Sequence, residues 1–109
     1  MSGRLKFMRI IVMFDLPTLS ANDKRQYRKF RKYLIKNGYI MMQESVYSRV
    51  VPSEKAVPGL LKHLKEHKPA DGSVAALTIT EQQYAGIDYI CGDKFGGDYI
   101  DSTETVVFL

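Results

Sequence analysis

Residues 7–18, FMRIIVMFDLPT, join a short apolar run to an acid and a proline. The apolar part, residues 7–14, is rich in β-branched and aromatic side chains and is closed by Pro17, which is typical of a buried strand. Asp15 follows this run and is the first carboxylate in the chain. We therefore expect a strand over residues 7–14, with Asp15 at the point where that strand reaches the surface.

A basic helix is predicted after the turn at residues 16–18. Ser20 and Asp23 have the spacing of a capping box, and the Asn37-Gly38 pair favours a stop because both residues tolerate the left-handed conformation. Apolar side chains at helical spacing predict a buried face. They are Tyr27, Phe30, Tyr33 and Leu34. The cations on the opposite face, called the basic face below, are Arg25, Arg28, Lys29, Lys32 and Lys36.

The rest of the chain alternates extended and helical patterns. Residues 39–51 are extended, either as a tight hairpin or as one bent strand, and periodicity does not separate the two. A second helix is predicted from about Pro58, where proline fits the first turn. Its apolar face comprises Val57, Leu60, Leu61 and Leu64. The later predictions are a strand over 73–80, a helical turn capped by Thr80, a short strand over 87–91 with Cys91 as a small core residue, a loop over 92–105 and a strand over 106–109.

This order of elements predicts an α+β fold. Strand, helix, extended segment, helix, strand is the order of a ferredoxin-like split βαβ sandwich, with an antiparallel sheet and two helices on one face. The 109 residues suit one domain over 1–109, in which residues 92–109 form a loop and an added C-terminal edge strand. Whether residues 106–109 pair with their own sheet or with a partner is left open.

Composition excludes several classes of protein. No apolar run approaches the roughly 18 residues of a membrane span, and the N-terminus lacks the pattern of a signal peptide. Cys91 is the single cysteine, so neither an internal disulfide nor a four-cysteine zinc site can form. These features predict a cytoplasmic protein with no membrane partner.

The net charge of +4 is unevenly distributed. Residues 20–38 carry the five cations of the basic face and two more, Lys24 and Arg31. Asp23 is the single acid in this segment. The acids gather from Asp71 to the end of the chain, where Lys94 is the one cation. Such polarity favours a polyanion on one surface, and a basic or metal-bearing partner on the other.

Several segments together resemble the CRISPR-associated Cas2 family, in the form found with type II CRISPR systems. They are residues 13–18 (MFDLPT), 27–34 (YRKFRKYL), 38–48 (GYIMMQESVYS), 77–84 (LTITEQQY) and 106–109 (VVFL). The resemblance runs through nearly the whole chain in the expected order. One departure is that the family's Ser-Val-Phe motif is Ser45-Val46-Tyr47 here, which keeps an aromatic ring.

The resemblance implies a ferredoxin-like protomer that forms a homodimer. In the family this dimer bridges dimers of the integrase subunit of the CRISPR adaptation complex and binds the double-stranded DNA of a new spacer. Several members are described as metal-dependent endonucleases that act on single-stranded RNA or on DNA. The family's metal-binding aspartate maps onto Asp15, which makes Asp15 the expected catalytic and Mg²⁺-binding residue.

The residues themselves allow two interpretations of Asp15. Mg²⁺ is usually held by one or two carboxylates together with waters and substrate phosphate, and a two-fold axis near Asp15 would supply a pair. Such a metal could polarise a phosphodiester and activate a water. Alternatively, Asp15 bonds backbone groups in the turn before the helix. No histidine or second acid lies near Asp15 in the sequence to act as a general base, so enzymatic hydrolysis is a separate hypothesis from metal binding.

The basic face is the second candidate site. A charge run is usually a solvated helix face, but such faces normally mix signs to gain i,i+4 pairs. Asp23 is the single acid here, so we expect this face to bind a nucleic-acid backbone without sequence preference.

Two other motifs are assigned structural roles. His63-Leu64-Lys65-Glu66-His67 matches the H-x-x-E-H pattern of certain zinc proteases. Too little chain follows for a third ligand and a catalytic domain, so an ordinary helix end explains it better. Two interpretations of Ser45 and Tyr47 are open, contact with nucleic acid or a place in the sheet with satisfied hydroxyls, and the second is favoured for both.

Two other functions fit the same fold. One is a toxin-like metal-dependent ribonuclease that acts independently of any CRISPR array. The other is a non-catalytic ferredoxin-like nucleic-acid-binding module, which would be expected to expose aromatic rings on a central strand. The run Ile10-Ile11-Val12-Met13 has none.

Overall fold

A computed structural model describes residues 7–92 of the chain. Its elements are β1 (Met8–Asp15), α1 (Ala21–Lys36), β2 (Ile40–Gln43), β3 (Val46–Val51), a 3₁₀ turn (Glu54–Ala56), α2 (Val57–Glu66), β4 (Ser73–Thr80) and α3 (Glu81–Ala85). Two predicted segments lie outside the described residues. They are the loop over 92–105, except for its first residue, and the whole strand over 106–109. Within residues 7–92, no helix has both the length and the apolar character that crossing a bilayer requires.

The strands form one antiparallel sheet with the order β2-β3-β1-β4. β1 lies in the interior and pairs with β3 on one side and β4 on the other, so that Ile11 lies opposite both Ser48 and Leu77. Such a sheet, with helical crossovers after β1 and β3, is the split βαβ arrangement. The predicted α+β, ferredoxin-like fold is confirmed.

The two faces of the sheet have different partners because successive side chains in a strand point to opposite sides. Ile10, Val12 and Phe14 of β1 pack in the core with Phe30 of α1 and Leu64 of α2. Both helices therefore cover this face. The opposite face, called the outer face below, carries Arg9, Ile11, Met13 and Asp15 of β1 and their neighbours in register on β3 and β4.

The helix ends follow the capping signals. The Ser20 hydroxyl accepts from the Asp23 amide, and the Asp23 carboxylate accepts from the Ser20 amide in return. Thr80 and Gln83 make the same reciprocal pair at α3. α2 begins one residue before Pro58, after the 3₁₀ turn, as the tolerance for proline in a first turn predicts.

Residues 39–51 form a hairpin, which settles the choice that periodicity left open. The turn lies at residues 44–45, and Ser45 has φ of 67°, in the left-handed region. That conformation reverses the chain between β2 and β3, and the pairing register shifts between Met41 and Gln43.

Two predictions about the end of the described chain are wrong. Residues 87–91 form no strand, because α3 interrupts the extended backbone directly after β4 and leaves this segment without a pairing strand within residues 7–92. Ile90 is 90 % exposed. Cys91 is a free, exposed thiol rather than a core residue, for the same reason.

Candidate nucleic-acid interface

Asp15 is the last residue of β1 and is exposed. Its backbone is held from both sides of the strand. The amide of Phe14 donates to the carbonyl of Ser45 at 3.0 Å, and Asp15 pairs in register with Ser73. Gly72, with φ of 95°, lies so close that an added Cβ would be 2.7 Å from the Asp15 carbonyl oxygen. The position of Asp15 is therefore fixed even though its side chain is free.

The Asp15 carboxylate has no hydrogen-bond partner among residues 7–92. The turn before α1 is instead capped by Asp23, which accepts from the amides of Leu19 and Ser20. The Ser20 amide is the main reason that the pKa of the Asp23 carboxyl is lowered from its ordinary value. The structure therefore does not support the interpretation that Asp15 bonds backbone groups in the turn before the helix.

As a metal ligand, Asp15 offers one free carboxylate. The part of the chain that the structure describes contains no group of three or more His, Cys, Asp or Glu side chains that could hold an ion. A free, exposed carboxylate fits one ligand position of Mg²⁺, an ion that keeps several waters. One protomer provides a single such carboxylate at the end of β1.

The side chains of the basic face are all exposed on α1. The members are Arg25, Arg28, Lys29, Lys32 and Lys36. Among residues 7–92, the ion pair present joins Arg9 to Glu81, so no member of the basic face lies within salt-bridge distance of a described acid. In the described part of the chain, one side-chain hydrogen bond involves this face, from Arg25 to the side-chain oxygen of Asn22 at 2.7 Å. These cations have little local neutralisation and repel one another.

Arg31 lies beside the basic face, on the flank of α1 that approaches the β2–β3 turn. Its Nε donates to the hydroxyl of Tyr47 at 2.9 Å. Next to it, the hydroxyls of Tyr27 and Ser45 are 3.3 Å apart. The hydroxyls of Ser45 and Tyr47 therefore each have one hydrogen-bond partner, and Tyr47 is a strand residue as predicted. The prediction that Ser45 is also a sheet residue is wrong, because its left-handed backbone places it in the turn between β2 and β3. The link from Arg31 to Tyr47 was not predicted, since it joins residues 16 positions apart across two elements.

Arg9 lies far from Asp15 and does not contribute to its site. They are six positions apart along the strand, which is about 20 Å at roughly 3.3 Å per residue. Arg9 instead bonds both carboxylate oxygens of Glu81, at 2.8 and 3.1 Å, and lies 3.8 Å from the centre of the Tyr84 ring. It anchors α3 at the far end of the outer face.

The histidines of α2 form an aromatic cluster with α1. Tyr33 Oη and His63 Nδ1 share a hydrogen bond of 2.6 Å, and the rings of Tyr33 and His67 stack at 4.5 Å. Burial raises the pKa of the Tyr33 phenol, so it remains a neutral hydroxyl. The cluster packs α2 on α1, in agreement with the structural role predicted for His63-Leu64-Lys65-Glu66-His67.

The outer face is apolar where no helix covers it. Four side chains on it are partly exposed: Met13 by 37 %, Val50 by 40 %, Leu77 by 50 % and Ile40 by 53 %. On the two central strands, β1 and β3, the residues that face outward include no aromatic ring. This surface lacks the base-stacking platform of an RNA-recognition module.

Comparisons with known proteins identify the family of the chain. The sequence profile of the family described as CRISPR associated protein Cas2 matches residues 8–87. A protein of Treponema denticola named CRISPR-associated endoribonuclease Cas2 is 42 % identical over 102 residues, covering 94 % of this chain and 100 % of the relative. Proteins of the same name from Streptococcus mutans and Ligilactobacillus salivarius are 41 % and 40 % identical, each over 94 % of this chain and over 93 % and 100 % of their own lengths. The chain therefore belongs to the CRISPR-associated Cas2 family.

Proposed function

We propose that this protein is a nucleic-acid-binding subunit of CRISPR spacer acquisition in the cytoplasm. It works as a homodimer that bridges dimers of the integrase subunit and holds the spacer duplex along the basic face of each protomer. The observation that carries the proposal is the unneutralised row of cations on α1. Cations that repel one another in the free protein are best explained by a polyanion that binds them.

The outer face supports the dimer. Its partly exposed apolar side chains lie on one continuous side of the sheet, and a second copy of the chain would remove them from water. Asp15 shares this side, because it alternates in phase with Met13 and Ile11 along β1. A two-fold axis near the end of β1 would therefore bring the two Asp15 carboxylates together.

Nuclease activity is the further part of the proposal. The curated relatives are named endoribonucleases. In the dimer, the paired Asp15 carboxylates would hold Mg²⁺, which would supply polarisation of a phosphodiester and a more acidic bound water. The residues of the chain contribute the fixed backbone position of Asp15 and the cations that hold the substrate strand. The substrate would be single-stranded RNA or DNA.

Charge reversal on the basic face tests the binding proposal. The triple variant Arg25→Glu, Lys29→Glu, Lys32→Glu is expected to weaken duplex DNA binding at least about a hundredfold at physiological salt, because phosphate contacts are lost and replaced by repulsion. Fluorescence anisotropy with a labelled duplex measures the affinity. The matched control reverses Lys55, Lys62 and Lys65, which are exposed outside α1. Equal losses in both variants, or undiminished binding in the first, would refute the assignment of the basic face.

A further inference from the structure

We propose that the groove between α1 and the β2–β3 turn is a subsite for one phosphodiester group of the bound nucleic acid, with Arg31 as its central donor. The groove is open to solvent and has a volume of about 290 Å³. Besides Met41, polar residues of α1 and of the hairpin line it: Tyr27, Arg28, Arg31, Glu44, Ser45 and Tyr47. The inference rests on the proposed function and adds residues outside the basic face. Arg28 belongs to both, so the groove continues that surface.

Arg31 is held in place for such a contact. Its Nε is bonded to the hydroxyl of Tyr47, which is 1 % exposed and stacks on Phe14 with ring centres 5.8 Å apart. A guanidinium has five N–H donors, and the remaining ones on Arg31 have no acceptor among residues 7–92. A guanidinium fixed at one nitrogen presents the others as a planar fork, the shape that matches two phosphate oxygens.

The hydroxyls of the groove add to this surplus of donors. Tyr27 and Ser45 share one hydrogen bond, so one of their two hydroxyl hydrogens has no acceptor in the described chain. The hydroxyl of Tyr47 accepts from Arg31, and its own hydrogen also lacks an acceptor there. Glu44 is the one acid lining the groove, and it lies beyond salt-bridge distance of both arginines. A cavity rich in donors and poor in acceptors fits a ligand that brings only acceptor oxygens, as a phosphodiester does.

The backbone of Ser45 is unusual for its residue type. Its φ of 67° is left-handed, a conformation that glycine adopts without steric penalty and serine does not. The hydroxyl carried at this strained position points to Tyr27 within the groove. Glycine would adopt this backbone conformation with less strain than serine. The presence of serine here therefore supports a binding role for its hydroxyl.

The groove on the other flank of α1 is less suited to an anion. It encloses about 180 Å³ and is lined by Lys29 and Lys68 but also by Glu66 and the carboxyl end of α2. The free carbonyls at a helix carboxyl end disfavour negative charge. Tyr33 beside it already bonds His63. The bound strand is therefore expected on the hairpin flank, where Ser45 is bonded to the residue that precedes Asp15.

Three substitutions in the full chain test the subsite, with a labelled DNA duplex as the probe. Arg31→Gln is expected to reduce the slope of log affinity against log salt by about 0.9 in magnitude, the value for one phosphate contact. The control Lys62→Gln, on the exposed side of α2, should leave the slope unchanged. Tyr27→Phe removes a neutral hydroxyl, so it should weaken binding about three- to tenfold with an unchanged slope.

Ser45→Gly separates binding from folding. The change relieves the left-handed serine, so the melting temperature should stay the same or rise, while duplex affinity falls about threefold or more. Wild-type slope and affinity in Arg31→Gln, or undiminished affinity in Ser45→Gly, would overturn the subsite. If those variants bind normally while the triple variant of the basic face does not, the subsite alone is wrong. If the wild-type chain binds no duplex, the proposed function fails and the subsite with it.

Discussion

The basic face of α1 is exposed and the outer face of the sheet is partly exposed, and the chemistry of the two surfaces is opposite. The basic face is a row of cations without described acidic partners, whereas the outer face is a patch of aliphatic side chains with Asp15 at one end. A surface of positive charge attracts a polyanion, and salt weakens that attraction. An apolar patch is best covered by a complementary apolar surface. This difference supports the two partners proposed above, nucleic acid for the helix and a second copy of the chain for the sheet.

Removing the Asp15 carboxylate should show most clearly that the two surfaces act independently. In Asp15→Ala, we expect Mg²⁺-dependent cleavage of single-stranded RNA to fall at least about a thousandfold, while duplex binding changes less than about twofold, because the basic face is untouched. Cleavage assays with and without Mg²⁺, paired with anisotropy, give both values. A parallel loss of duplex binding, with the dimer intact, would show that the two surfaces are not independent.

A charge placed in the outer face should break the dimer. Leu77→Asp would bury an unpaired carboxylate between two copies, so we expect dimerisation to weaken by about a hundredfold or more. Leu19→Asp is the control, since Leu19 is 91 % exposed and lies in the turn before α1. Sedimentation velocity over a concentration series measures both. A Leu77→Asp variant that remains as dimeric as the wild type would remove the outer face from the interface.

The smallest effect concerns the one acid on α1. The folded-state pKa of Asp23 is lowered from 3.8, chiefly by the Ser20 amide, so its contribution to stability is present above about pH 4 and is lost as pH falls through the folded value. Thermal melts between about pH 5 and pH 2 should show a smaller pH dependence for Asp23→Asn than for the wild type. Identical pH profiles would mean that Asp23 is not used by the helix amides and is available to neutralise the basic face.

The sequence was most informative where local chemistry decides structure. Ser20 with Asp23 and Thr80 with Gln83 predicted the helix starts, and alternation predicted the strand Ser73–Thr80. The sequence did not distinguish a hairpin at Ser45 from one bent strand. Glycine and asparagine are the residues that usually mark a left-handed turn, and here a serine occupies that position. The segment 87–91 has an extended sequence pattern but no pairing strand in the described chain. A strand needs a neighbouring strand to pair with, and the local sequence does not show whether one is present.

The candidate site was predictable only in part. Helical spacing was enough to place the basic face together, because the arrangement is local. The groove at Arg31 depends on the packing of α1 against the hairpin, through its contact with Tyr47. Likewise, the placement of Asp15 on the uncovered side followed only when helices were seen on the opposite side. Contacts between distant elements therefore account for what the sequence did not reveal.

The most direct test of the central claim is the salt dependence of duplex binding by the wild-type chain. If the side chains of the basic face each contact a phosphate, log affinity should fall linearly with log salt, with a slope of about −4.5 per protomer or steeper, from about −0.9 per contact. The same slope should appear for duplexes of unrelated sequence, since phosphate contacts carry no sequence information. A slope near zero, or binding that depends on sequence and not on salt, would contradict the assignment of α1 as the nucleic-acid surface.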